Sequence, residues 1–132
     1  MSDNGLVSVQ SRASAPETLD RLLAALATRN LTVFARIDHA AGAASVGLPL
    51  RPTAVVIFGN PKGGTALMQE QQSAGIDLPL KALVSEDAAG RAWLTYNDPA
   101  WIAQRHGLAA ASAPAVQAMG ALLSAIAQEA TR

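Results

Sequence analysis

The residues best suited to chemistry fall in one stretch, Phe58-Gly59-Asn60-Pro61-Lys62-Gly63-Gly64-Thr65. Glycines after an apolar run admit a ligand close to the backbone, free N–H groups at a helix start attract an anion, and Lys62 adds a full positive charge. The pattern points to phosphate or carboxylate, with Asn60, Lys62, Gly63, Gly64 and Thr65 as ligand-binding candidates. It is not a Walker A loop, because Lys62 precedes the glycine pair and no Gly-x-x-x-x-Gly-Lys-Ser/Thr occurs. The same residue types also serve a plain structural purpose. Asn60 or Thr65 caps a helix, Pro61 stiffens its entry, and the glycines make a tight turn.

Proton transfer would fall to His39 or His106, the two histidines of the chain. His106 sits in the last turn of a short helix, where the dipole alone accounts for an imidazole, and His39 follows a strand end as a capping or solvent-facing residue. If they converge with Asp38 or Tyr96 near Lys62, the cluster holds an acceptor, a donor and a charge stabiliser, enough for hydrolysis or isomerisation. Tyr96 is the further binding candidate, an amphipathic ring at a strand end before the cap-and-proline pair Asp98-Pro99. Trp93 and Trp101 are read as packing groups. No Gly-x-Ser-x-Gly elbow, metal-loop spacing or cofactor fingerprint occurs, so neither a metal nor a cofactor is expected.

Composition narrows the partners. The chain has 132 residues, half of them hydrophobic, with ten basic and ten acidic side chains that cancel. It is read as a single domain over 1–132, large enough to bury a continuous core. A zero net charge provides no field to draw in nucleic acid or anionic membranes. Cysteine is absent, which removes disulfides, thiolate nucleophiles and zinc-thiolate sites. The opening Met1-Ser2-Asp3-Asn4-Gly5 lacks the character of a secretory leader, and a cytoplasmic location is expected. The uncharged run Leu108 to Gln128 has near-spanning length, but alanine dominates it and polar residues interrupt it. A helix packed on a sheet is expected there, not a membrane span.

The positioning elements follow from periodicity and caps. Leu6 to Ser11 reads as a strand. Ser14 and Glu17 form a capping box for a helix whose Leu19, Leu22, Leu23 and Leu26 share a stripe, with Asn30 as a left-handed stop. Thr32 to Asp38 alternates as a strand, Val33, Ala35 and Ile37 against Phe34 and Arg36. Asp38 caps a helical turn through Ala44 that ends near Gly47. Ala54 to Phe58 is apolar on both faces, an interior strand leading into the glycine turn, after which a helix runs to about Gln72 and Gly75 stops it. Leu80 to Ser85 and Ala92 to Tyr96 form a hairpin with Gly90 at positive φ. A short helix from Asp98-Pro99 stops at Gly107, and a long one starts at about Ser112, carrying Val116, Met119, Leu123 and Ile126 in line. Hairpin-joined strands with few helices imply an α+β fold, an antiparallel sheet with helices on one face. Phe34, Leu83 and Trp93 are expected on the opposite face, as an apolar patch through which the chain forms a homodimer.

The succession Ile37-Asp38-His39, Pro52-Thr53, Phe58-Gly59-Asn60-Pro61-Lys62, Gly64-Thr65 with Leu67-Met68, Asp77-Leu78-Pro79-Leu80, Tyr96-Asn97-Asp98-Pro99 and His106-Gly107-Leu108 resembles the family of the domain of unknown function 302. The likeness covers about residues 31–108. The resemblance implies a β-α-β-β-β-β-α arrangement similar to the TATA-binding-protein sheet, with dimers in some members and no established activity. It assigns no role to Gly63 or to Gln69 through Ile76. The best reading is therefore a small homodimeric module of unknown function that binds a polar or anionic ligand at the glycine turn. The alternatives are an enzyme using His39 or His106, or a dimerisation scaffold with no pocket.

Overall fold

The computed structural model describes residues 4–132; Met1, Ser2 and Asp3, part of the opening stretch read as no secretory leader, lie outside them. Five strands, β1 (Leu6–Gln10), β2 (Thr32–Asp38), β3 (Thr53–Gly59), β4 (Leu80–Glu86) and β5 (Ala92–Asn97), form one antiparallel sheet in the order β1-β5-β4-β3-β2. The helices are α1 (Ala15–Thr28), α2 (His39–Ser45), α3 (Pro61–Glu70), α4 (Pro99–Arg105) and α5 (Ala113–Thr131), with a 3-10 segment over Gln72–Asp77. The α+β class is as expected from the sequence.

Local chemistry sets most boundaries. The Ser14 hydroxyl accepts the Glu17 amide at 3.2 Å, the Asp38 carboxylate accepts the Ala41 amide at 2.9 Å, and Asp98 accepts the Ala100 amide at 2.9 Å. Each cap satisfies a donor that the first helical turn leaves open. Asn30, Gly47, Gly90 and Gly107 all take positive φ, ending helices or closing the β4–β5 hairpin where the spacing called for it. The expected helix after the glycine turn differs. It stops at Glu70, Gln71 is extended, and the chain re-enters helical geometry as the 3-10 segment that buries Ala74. Docking of that alanine overrides the local periodicity that ran on to Gln72.

The core lies between the sheet and the α1/α5 pair. Val56, Phe58, Ala82, Val84 and Leu94 face Leu22 and Leu26 of α1 and Leu123 and Ile126 of α5, all buried. Burying each such leucine or isoleucine contributes about 1.5–3 kcal/mol. Arg29 at the end of α1 forks onto Glu129 of α5 at 2.8 and 2.7 Å. That bond holds the Glu129 carboxyl below the usual carboxylate range and raises the guanidinium.

One expectation about the strands is corrected. The β2–β3 register shifts between Val33 and Ala35, so Val33 opposes Phe58 and Ala35 opposes Ile57. Phe34 is the extra residue of a β-bulge, and its ring turns toward α3 and α5 instead of joining Leu83 and Trp93 on the other face. Strict alternation fails there, because a bulge changes parity along the strand. Trp93 is tied down separately, its indole N–H donating to Asp87 Oδ2 at 2.9 Å. That bond and the Arg91 amide lower the Asp87 carboxyl to about 2. The expected three-membered patch therefore does not assemble. No described helix is long and apolar enough to cross a membrane.

Candidate functional site

β3 carries the chain out of the core at Phe58 and Gly59, both buried, and delivers Asn60 to the start of α3. Asn60 is the cap: its side-chain oxygen accepts the Lys62 amide at 2.9 Å, and its carbonyl receives the Gly64 amide at 3.5 Å. Pro61 has no amide to offer. The open row of N–H donors expected from the sequence is thus largely occupied by the turn itself. For an incoming anion there remain the Gly63 amide, the helix dipole and the Lys62 ammonium. Thr65 sits one turn into α3 and does not cap it.

The glycines also bear on how α3 packs. A Cβ on Gly63 would stand 3.3 Å from Met119 Cε, and one on Gly64 would stand 3.7 Å from Leu78 Cδ1. Gly63 lets α3 approach α5, whereas a side chain at Gly64 would make only ordinary contact with the segment entering β4. Between these elements a cavity of about 660 Å³ remains. Its walls are the start of α3, Leu31 and the bulged Phe34, the Leu78-Pro79-Leu80 segment, and the stripe Pro114, Ala115, Ala118, Met119 and Leu122 of α5. Asn60, Lys62, Gly63, Gly64 and Thr65 all line it, and Lys62 is the one charged side chain among its described lining residues. Lys62 makes no ion pair among the described residues.

The relative placement of α3 and α5 is fixed by a clasp that the sequence did not disclose. Glu70, at the end of α3, accepts the Ala109 amide at 2.8 Å and the Ser112 hydroxyl at 2.6 Å. Ser112 is fully buried at the head of α5, and its hydroxyl serves Glu70 instead of capping its own helix. The two bonds hold the Glu70 carboxyl below its ordinary range, the serine contributing most.

The other sequence candidates lie elsewhere. His39 opens α2, exposed, and is not among the residues lining the cavity. Tyr96 is buried inside the sheet between Val7 and Ala82, where burial, with Asp98 nearby, raises its phenol. His106 ends α4 and is nearly buried, with Nε2 at 2.6 Å from Asp77 Oδ2 and Nδ1 at 2.9 Å from Ser73 Oγ. Arg105 also reaches Asp77, at 3.1 Å. Serine, imidazole and carboxylate are joined in the order of a nucleophile, base and orienting acid. None of the three lines the cavity, and Arg105 shares the carboxylate, so the cluster fastens the 3-10 segment to α4. Ser73 and Asp77 both belong to the 3-10 segment and meet His106 from 33 and 29 positions away, so no local pattern signalled the cluster.

Comparison with known proteins agrees with the architecture. The profile of the family "Domain of unknown function DUF302" matches residues 7–126, beyond the 31–108 legible from motifs. The crystal structure of an uncharacterized conserved DUF302 protein from Bacillus stearothermophilus superposes with a TM-score of 0.84 over 97% of this chain and 98% of that one, at 19% identity, a likeness of fold alone. Two curated proteins, from Brucella suis and Brucella abortus, each named "Fluoride-specific ion channel FluC 1", are 52% identical over 117 residues. The match takes in 89% of this chain but 46% and 43% of those, so the chain spans less than half the length of these relatives.

Proposed function

The chain belongs to the DUF302 family, a domain of unknown function, and from that footing we propose that it is a small homodimeric module holding a polar or anionic ligand at the start of α3. The observation that carries this reading is the cavity itself, lined by all five residues of the glycine turn singled out for binding. Lys62, with no ion pair among the described residues, supplies the attraction, and the Gly63 amide and the α3 dipole add to it. Neither histidine lines the cavity, which favours binding over proton transfer. A thermal-shift screen of phosphates, carboxylates and nucleotides tests it. A ligand at 100 times its dissociation constant adds about 2.7 kcal/mol of stability, and Lys62→Ala should reduce the shift. Equal shifts in the variant would refute an anion site at this turn.

Self-association is supported by a different surface from the sheet-face patch. β2 is an edge strand, and from it to the loop before β3 the side chains of Val33, Phe34, Ile37, Val46, Leu48 and Leu50 are 42% to 70% exposed. An apolar, unpaired edge of this kind invites a second copy. Sedimentation should give a dimer that Ile37→Lys dissociates, and a wild-type monomer at micromolar concentration would remove this part of the reading. The absence of cysteine fits a cytoplasmic setting.

A further inference from the structure

The lining of the cavity specifies more than a charge. Every polar or charged side chain in it comes from one short segment, Asn60 to Thr65, at the start of α3. The facing walls are apolar throughout: the α5 stripe from Pro114 to Leu122, the Leu78–Leu80 segment, Leu31 and Phe34. A ligand hydrophilic all round would give up water against those walls and find no partners there. A small inorganic anion would leave most of the space unused. From this division we propose that the ligand is an amphipathic anion, an acidic head on an unbranched or aromatic apolar body, with the head beside Lys62 and the body along the α5 stripe. The inference rests on the anion-site reading above and names the ligand class of that same site.

Three further features fit this occupant. Met68 and Met119 both line the space, and unbranched thioether side chains adapt to apolar bodies of differing shape. Phe34 reaches the cavity because the β2 bulge turns it there, adding an aromatic wall at the strand edge. The head-group end is exposed at Asn60 and Lys62, so the acid can keep water on one side while its body is covered. A carboxylate and a phosphate monoester head would satisfy Lys62 alike, and the apolar body is the part that discriminates.

Isothermal titration with saturated carboxylates from acetate to dodecanoate, with decanol and with inorganic phosphate, tests the proposal on the full chain. Affinity should rise about three- to fourfold per added methylene until the body outgrows the cavity, following the transfer free energy of a buried methylene. Decanol should bind more weakly than decanoate, and Lys62→Ala should cost decanoate about fivefold, the scale of one partly exposed charge pair. Ala118→Trp, at an exposed position of α5 that lines the cavity, should abolish decanoate binding while far-UV circular dichroism stays unchanged. If that variant does not fold, Ala115→Leu fills the same stripe with less bulk and should reduce binding with the same chain-length dependence. Lys62-dependent binding of phosphate or acetate with no chain-length dependence would overturn the amphipathic ligand and leave the anion site standing. A chain-length slope that survives both filling variants places binding elsewhere and overturns the inference. Should no anion bind at all, both readings fall together.

Discussion

Two helix starts in this molecule use the same device and end differently. At α3, Asn60 caps and Pro61 follows; at α4, Asp98 caps and Pro99 follows, and in both the capping side chain accepts the amide two residues on at 2.9 Å. After Pro99 come Ala100, Trp101 and Ile102. Ile102 is buried, and the indole of Trp101 lies so close over Gly5 that a Cβ there would stand 2.4 Å from the ring. Arg105 lies over the ring, 5.8 Å from its centroid. After Pro61 come Lys62, Gly63 and Gly64, and the corresponding volume stays open. A cap and a proline fix where a helix begins; the bulk of the next few side chains decides whether the space beside it is filled or left for a ligand.

The filled start should be the more sensitive of the two to added bulk. Gly5→Ala puts a methyl group into the Trp101 ring at a backbone φ of +77°, and should lower stability by about 2–4 kcal/mol in urea unfolding. Gly64→Ala, at the open start, meets no atom closer than 3.7 Å and lies inside a helix. It should raise stability by about 0.5–1 kcal/mol. A loss there as large as at Gly5 would mean that the two starts are packed alike. Next in size is Trp101→Ala, which should lose about 3 kcal/mol by emptying the space that the indole fills. Asn60→Ala and Asp98→Ala should each lose about 1 kcal/mol, the value of one cap, and a large inequality between them would show that the shared device is not equivalent at the two sites.

The smallest effect concerns the clasp that bounds the open side. Because its folded carboxyl is lowered, Glu70 contributes stability that is present above its ordinary value of 4.5 and lost as pH falls through the lower folded value. Glu70→Gln should therefore flatten acid unfolding below about pH 4.5, followed by intrinsic fluorescence, while leaving the slope above it unchanged. An unaltered acid limb would show that the carboxylate is not held by Ser112 and Ala109 in solution.

How much of this was legible in the sequence divides along the same lines. Ser14, Asn30, Asp38, Asn60, Asp98, Gly90 and Gly107 act within a few residues of themselves, and their chemistry announced most of the element boundaries. The five residues of the glycine turn that line the cavity were also named from type and spacing. What escaped depends on residues far apart in the chain. Glu70 and Ser112 are 42 positions apart, and Ser73 and His106 are 33 apart, so no local pattern joins them. The α5 wall of the cavity was partly visible, since Met119 stood on the predicted stripe, but nothing set Ala115 and Ala118 apart from the other alanines of that run. The role of Phe34 was misread because period-two alternation carries no sign of an inserted residue.

That inserted residue acts as a reading-frame change within β2. On its two sides the strand obeys opposite in-out parity, so a single-residue deletion between Val33 and Ala35 would restore one continuous frame and withdraw the aromatic wall from the cavity. The pairing of Arg36, Ile37 and Asp38 with β3 could persist through such a change. Length variation at this one point would then alter what the site accepts while sparing the sheet that supports it.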